Sequence, residues 1–158
     1  MNDKTKQSVD RDYDLWVLLT QVRDVILDAR ENELRQYDVT AWQAAVLFII
    51  DAAGGTASPA DIARWSLRKP NSVSGILDRM KKAGLIKVAK DTRRKNMKVI
   101  SISEKGYGVL QNSIKRESIH KIMSCLTTEQ YQQLKGILEQ LRSRGFEVLG
   151  SQRNIPFP

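Results

Sequence analysis

From Tyr13 to about Leu34 apolar residues recur at helical spacing, at Leu15, Leu18, Leu19, Val22, Ile26 and Ala29, with Arg23, Asp24, Asp28 and Arg30 between them. This pattern predicts a long amphipathic helix. Tyr37–Asp38–Val39 breaks it, and Thr40 is placed to cap the next helix. Residues 41–53, AWQAAVLFIIDAA, are apolar on nearly every side, the mark of a helix buried all round, and Gly54–Gly55 ends it. Ser58–Pro59–Ala60–Asp61 then restarts helical structure, with a Ser cap, Pro in the first turn and an acid behind it, for a short helix to about Trp65. Arg68–Lys69–Pro70–Asn71 reads as a turn. Pro70 or Asn71 opens another helix to about Ala83, closed by Gly84. Within it Val73, Ile76, Leu77 and Met80 fall on one face, and Asn71, Ser72, Ser74, Gly75, Arg79 and Lys82 on the other. A short helix, a tight turn and a second helix with a polar, basic outer face outline a helix-turn-helix.

After Gly84 the period changes to two. Ile86 and Val88 alternate with Lys87 and Ala89, and Ile100 and Ile102 with Ser101 and Ser103, which predicts two strands around the polar tip Asp91–Thr92–Arg93–Arg94–Lys95–Asn96. A strand–loop–strand directly behind such a helix is a wing. Ser103 is placed to cap a helix whose apolar positions run through Leu110, Ile114, Ile119, Ile122, Met123 and Leu126. Thr127 and Gln130 form a capping box for a last helix, in which Tyr131, Leu134, Leu138 and Leu141 follow at near-heptad spacing. Gly145 and Gly150 weaken its end. The expected fold is mainly α with a small β-hairpin wing. It divides into an N-terminal helical segment, 1–36, a winged helix-turn-helix lobe, 37–103, and a C-terminal helical segment with a tail, 104–158.

Charge sharpens this picture. Residues 61–100 hold twelve Lys/Arg against three acids, a balance of +9 that leaves −1 for the rest of a chain whose formal total is +8. A localised basic stripe on a near-neutral scaffold is the electrostatic footprint of a nucleic-acid binder. No apolar run reaches the roughly 18 residues of a membrane span. Met1 to Asp10 lacks the apolar stretch of a signal peptide, and a single cysteine suits a reducing cytoplasm. One histidine and one cysteine are too few for a zinc site within one chain. There is no glycine-rich phosphate loop and no His-paired nucleophile, so neither an enzyme nor a cofactor is expected.

Four stretches in order resemble the multiple-antibiotic-resistance regulator (MarR) family: Ser58–Pro59–Ala60–Asp61–Ile62–Ala63; Val73 to Ile86 with its Leu77–Asp78–Arg79 centre; Asp91–Thr92–Arg93–Arg94–Lys95 followed by Ile102–Ser103–Glu104–Lys105–Gly106; and Leu126–Thr127–Thr128–Glu129–Gln130. The resemblance covers roughly residues 13–145. It implies a winged helix-turn-helix homodimer, joined through the first and the last two helices, on double-stranded DNA. It also implies a small aromatic or anionic effector bound between the dimer helices and the DNA-binding lobe. The apolar stripes on those three helices agree independently. The chain departs from the family's wing pattern at Arg94 and Asn96, and from its recognition helix at Gly75, where many members carry a base-reading Arg.

The residues expected at DNA are Arg68, Lys69, Asn71, Ser72, Ser74, Gly75, Arg79, Arg93, Arg94 and Lys95. Asn71 reads as a helix cap ahead of an adenine reader. Gly75 either lets the helix backbone approach DNA closely or relieves packing. Asp78 is expected to orient a nearby Arg. Tyr13 and Trp16 are candidates for an effector site, while Trp42 and Trp65 read as core. Cys125 reads as a small buried hydrophobe ahead of a redox sensor, and His120 as a surface or interface side chain. The leading function is a sequence-specific regulator, expected to act as a ligand-responsive repressor on a pseudopalindromic operator. The alternative is a winged-helix module for protein contact or non-specific chromosome binding.

Overall fold

The computed structural model describes residues 10–92 and 97–151. The chain runs α1 (Arg11–Leu34), a 3-10 turn (Arg35–Tyr37), α2 (Ala41–Ala52), β1 (Thr56–Ala57), α3 (Pro59–Trp65), α4 (Pro70–Lys82), β2 (Ile86–Lys90), β3 (Lys98–Ile102), α5 (Glu104–Ser113), α6 (Glu117–Met123) and α7 (Thr128–Val148). This is the mainly helical, winged helix-turn-helix fold that the sequence pattern predicts.

The helix starts follow local chemistry. Thr40 and Thr127 each form a full capping box, with Gln43 and Gln130 returning their side chains to the cap N–H. Ser58 and Ser103 cap α3 and α5. α4 ends in a Schellman motif: Leu85 N–H donates to Met80 C=O, Gly84 N–H donates to Lys81 C=O, and Gly84 takes φ +74°.

One apolar core lies between α2, α3, α4, α5 and the sheet, around Val46, Leu47, Ile50, Ile62, Met80 and Ile100. The sheet has three strands in the order β1-β3-β2, all antiparallel, with Ile86 opposite Ile102 and Lys90 opposite Lys98. β1, two residues long, is an addition to the expected hairpin and is too short to show a period. α2 is not buried all round, because Phe48 and Asp51 face outward.

The stretch after Ser103 is two helices rather than one. Arg116 takes a left-handed conformation, φ +50°, and α6 starts without a side-chain cap of its own. Its cap comes from α1. Glu33 accepts from Glu117 N–H at 3.0 Å, from Ser118 N–H at 3.1 Å and from the Ser118 hydroxyl. Arg30, one turn back, lies 2.9 Å from Glu33 and donates to the Ser113 carbonyl at the end of α5. Burial alone would raise the Glu33 carboxyl, but the Ser118 and Arg30 hydrogen bonds and the Arg30 charge outweigh it and lower its pKa to about 2.

α1 contributes one buried residue, Leu34, and α7 none. Tyr13, Leu15, Trp16, Leu18, Val22 and Val25 stand exposed on α1, and Leu134, Ile137, Leu138 and Leu141 on α7.

Candidate nucleic-acid interface

The interface is built from the α3–α4 turn outward. Ser58 Oγ accepts from Asp61 N–H and donates to the Asp61 carboxylate, which in turn holds Arg64 at 2.7 Å. α3 then closes with Arg68 N–H on Ala63 C=O and Leu67 N–H on Arg64 C=O. Leu67 sits where a helix end usually places glycine, at φ +56°. Lys69 is extended and precedes α4 without capping it, and Pro70 takes the first helical position. Pro70 lacks an N–H and its φ is already helical, so it displaces Asn71 from the cap. Asn71 therefore lies inside the first turn and is exposed, against the capping role expected of it.

Val73, Leu77 and Met80 bury one face of α4. The opposite face presents Asn71, Ser72, Ser74, Asp78, Arg79 and Lys82, all exposed. A Cβ at Gly75 would meet nothing within 4 Å. That removes packing relief as the reason for this glycine and leaves an open strip of helix backbone. Asp78 has no ion pair among the described residues, so the expected Arg partner is not seen.

The far end of α4 is locked to α5. Ser103 Oγ donates to Gly84 C=O at 2.6 Å, Ser103 N–H to Leu85 C=O at 3.1 Å, and Lys105 Nζ to Ala83 C=O at 2.8 Å. A Cβ on Gly106 would lie 2.0 Å from the Leu85 carbonyl oxygen, so only glycine fits. Lys105 and Gly106 lie in a stretch quoted for the family resemblance, but nothing in their local sequence pointed to this lock.

In the wing, Lys87, Lys90 and Lys98 are exposed, and Asp91 N–H donates to Met97 C=O at 2.7 Å. Arg93, Arg94 and Lys95 lie outside the described residues. Lys69 is exposed beside the turn. Arg68 is half-buried, with its guanidinium carbon 3.5 Å from the Trp42 ring centroid. Trp42 and Trp65 are both half-buried at the margin of the core, Trp65 with Arg64 5.5 Å from its ring.

A separate cavity of about 230 Å³ opens between α1, α2, α5 and α6, where Arg30 and Arg116 face Phe48, Ala44 and Ile119. Arg116 lies 5.0 Å from the Phe48 ring. Sequence reasoning missed these residues, because Arg116 reaches the cavity only through its left-handed turn. Tyr13 and Trp16 pack on each other at 5.4 Å on the exposed side of α1 and do not line it. Cys125 is exposed between α6 and α7, not a buried hydrophobe, and His120 is exposed. Among the described residues no cluster of His, Cys, Asp and Glu could hold a metal, and no helix is long and apolar enough to cross a membrane.

A buried-faced helix behind a tight turn, a polar outer face and a flanking basic hairpin define a winged helix-turn-helix DNA-binding protein. Residues 37–95 match the model of the MarR family, and with the fold this similarity supports a MarR-type DNA-binding regulator. The organohalide-sensing RdhR transcriptional regulator, crystallised with 2,4-dichlorophenol, aligns over 100% of this chain and 96% of its own, with a TM-score of 0.88 and 28% identity. A mutant MarR from E. coli complexed with operator DNA shares the fold over 80% of this chain and 92% of its own, at a TM-score of 0.76 and 18% identity. The S. aureus MepR–DNA complex does so over 80% and 93%, at 0.71 and 24%. No curated protein gives a significant sequence match.

Proposed function

We propose that the protein is a homodimeric, ligand-responsive repressor that binds a pseudopalindromic operator through α4 and the wing. The observation that carries this reading is the unpartnered outer face of α4, set in the segment that holds the chain's whole charge excess. Asn71, Ser72, Ser74 and Arg79 would face the major groove. Arg93, Arg94 and Lys95 on the wing would take the backbone or the minor groove.

Dimerisation is supported by exposed apolar side chains. Tyr13, Leu15, Trp16, Leu18, Val22 and Val25 on α1 and Leu134, Ile137, Leu138 and Leu141 on α7 are each 40% exposed or more, an apolar surface of the kind that marks a protein–protein interface. In this division of labour residues 37–103 read DNA and the flanking segments join the protomers.

The effector would be a small aromatic acid or phenol in the cavity between α1, α2, α5 and α6. The cavity offers the Arg116 cation and an aromatic face, beside an Arg30 already held by Glu33, and the RdhR relative was crystallised with a chlorinated phenol. A ligand that binds one spacing of the two DNA-binding lobes better than the other shifts operator affinity by that difference.

Footprinting the purified protein on DNA around its own gene, with and without 2,4-dichlorophenol, tests both parts. A protected pseudopalindrome that weakens with the phenol supports the reading. Equal affinity for operator and scrambled DNA at one salt concentration would reassign the protein to non-specific binding.

A further inference from the structure

The two arginines flanking the α3–α4 turn have different surroundings. Arg64 is paired with Asp61 at 2.7 Å. The Arg68 guanidinium has no ion pair or hydrogen bond among the described residues. It lies 3.5 Å from the Trp42 centroid, against 5.5 Å for Arg64 over Trp65 and 5.0 Å for Arg116 over Phe48. At that distance one face of the guanidinium rests on the indole. Its N–H donors, which lie in its own plane, are left for something else.

Burial lowers the Arg68 pKa, and the Arg23 charge on α1 adds to the effect. An arginine nevertheless stays protonated at physiological pH. A cation is therefore held half-desolvated, near a like charge and without a counter-charge. An anion would relieve all three conditions. Arg68 also lines a groove of about 420 Å³ with Pro59, Ala60, Ala63, Arg64 and Pro70, directly before the uncapped start of α4.

We propose that Arg68 is a phosphate clamp for the DNA backbone, pre-oriented by the indole of Trp42, which makes Trp42 a positioning residue for DNA binding. The proposal rests on the DNA-binding reading above. Stacking fixes the guanidinium before DNA arrives, so less side-chain freedom is lost on binding. The planar fork then offers a bidentate contact to phosphate oxygens. Phosphate carries no sequence information, so the clamp would set affinity and register rather than base choice.

The experiment is a salt titration of fluorescence anisotropy on a mixed-sequence duplex, with wild type, Arg68→Ala, Arg68→Lys, Trp42→Leu and the Trp42→Leu/Arg68→Ala double variant. Arg68→Ala should weaken binding roughly tenfold or more per protomer and make the log–log salt slope shallower by about 0.9 per protomer. Arg68→Lys should keep the slope and still lose several-fold in affinity, because an ammonium neither stacks flat nor chelates. Trp42→Leu should weaken binding about five-fold in the wild-type background and have little effect once Arg68 is Ala, the non-additivity of two residues acting as one. An unchanged slope in Arg68→Ala, wild-type affinity in Arg68→Lys, or an equal Trp42→Leu penalty in both backgrounds overturns the clamp. If Trp42→Leu does not fold by circular dichroism, the two Arg68 variants decide. A wild type that fails to bind the duplex at low salt removes the DNA-binding reading itself.

Discussion

Leu67 and Gly106 show what single backbone positions demand here. Leu67 is left-handed in the turn that sets α4, and a side chain there costs about 1 kcal/mol relative to glycine. It is 43% exposed, so more than half of the side chain is removed from water, worth about 1 kcal/mol and enough to offset the strain. Leu67→Gly should therefore lower stability in urea by only about 0.5 kcal/mol, since relief of the strain offsets the lost burial and leaves glycine's freer unfolded chain. Gly106→Ala should instead cost about 3 kcal/mol or more, since its Cβ would meet a backbone carbonyl that cannot rotate away. Glu33 gives a pH dependence. Its folded pKa, about 2, lies below the ordinary carboxyl value of 4.5, so its contribution is present above 4.5 and is lost as pH falls toward 2. Glu33→Ala should destabilise by about 3 kcal/mol at pH 7. The gap between variant and wild type should narrow from about pH 4.5 downward and close only near pH 2 when urea midpoints are compared at equal protein concentration.

Elements whose boundaries are set by neighbours in sequence were legible. The capping residues Thr40, Ser58, Ser103 and Thr127, the Gly84 stop and the change of period after it all act within a few residues. The break between α5 and α6 was not legible, because its cap is Glu33, on another helix and 84 residues from Glu117. The Arg68–Trp42 stack and the Arg30–Arg116 cavity were hidden for the same reason: distant segments meet there. Part of the candidate interface followed from local pattern, with Ser72, Ser74 and Arg79 on the outer face of α4 as the spacing implied. At this scale the helix and the wing should fail differently. Ser72→Ala or Ser74→Ala should reduce discrimination between operator and scrambled DNA by roughly 1 kcal/mol per lost base contact. Replacing Arg93, Arg94 and Lys95 with Ala should weaken binding to both DNAs by similar factors. Paired titrations at one salt concentration check this, and the opposite pattern would reverse the two roles.

For the whole molecule, sedimentation should give about 36 kDa, twice the chain's 18.0 kDa, as expected of a closed two-fold pair. Changing Leu134 and Leu138 to Glu should shift it to monomer, since both sit on the exposed stripe of α7. With ~6–8 phosphates neutralised per dimer, the log–log salt slope of binding should lie near −5 to −7. The attachment of α4 sets how such a dimer could let go of DNA. Three donors from Ser103 and Lys105 hold the carbonyls at its trailing end, while its leading end has no side-chain cap and is held by the buried Val73. The helix is thus a lever with its fulcrum at α5, and its 13 residues make an arm of ~20 Å. A tilt of ~10° about that fulcrum swings Asn71 and Ser72 by ~3 Å, the full length of a hydrogen bond. A rotation of α5 that carried α4 with it would lift the reading end from the bases, at the expense of the Val73 and Leu77 packing that holds that end on the core.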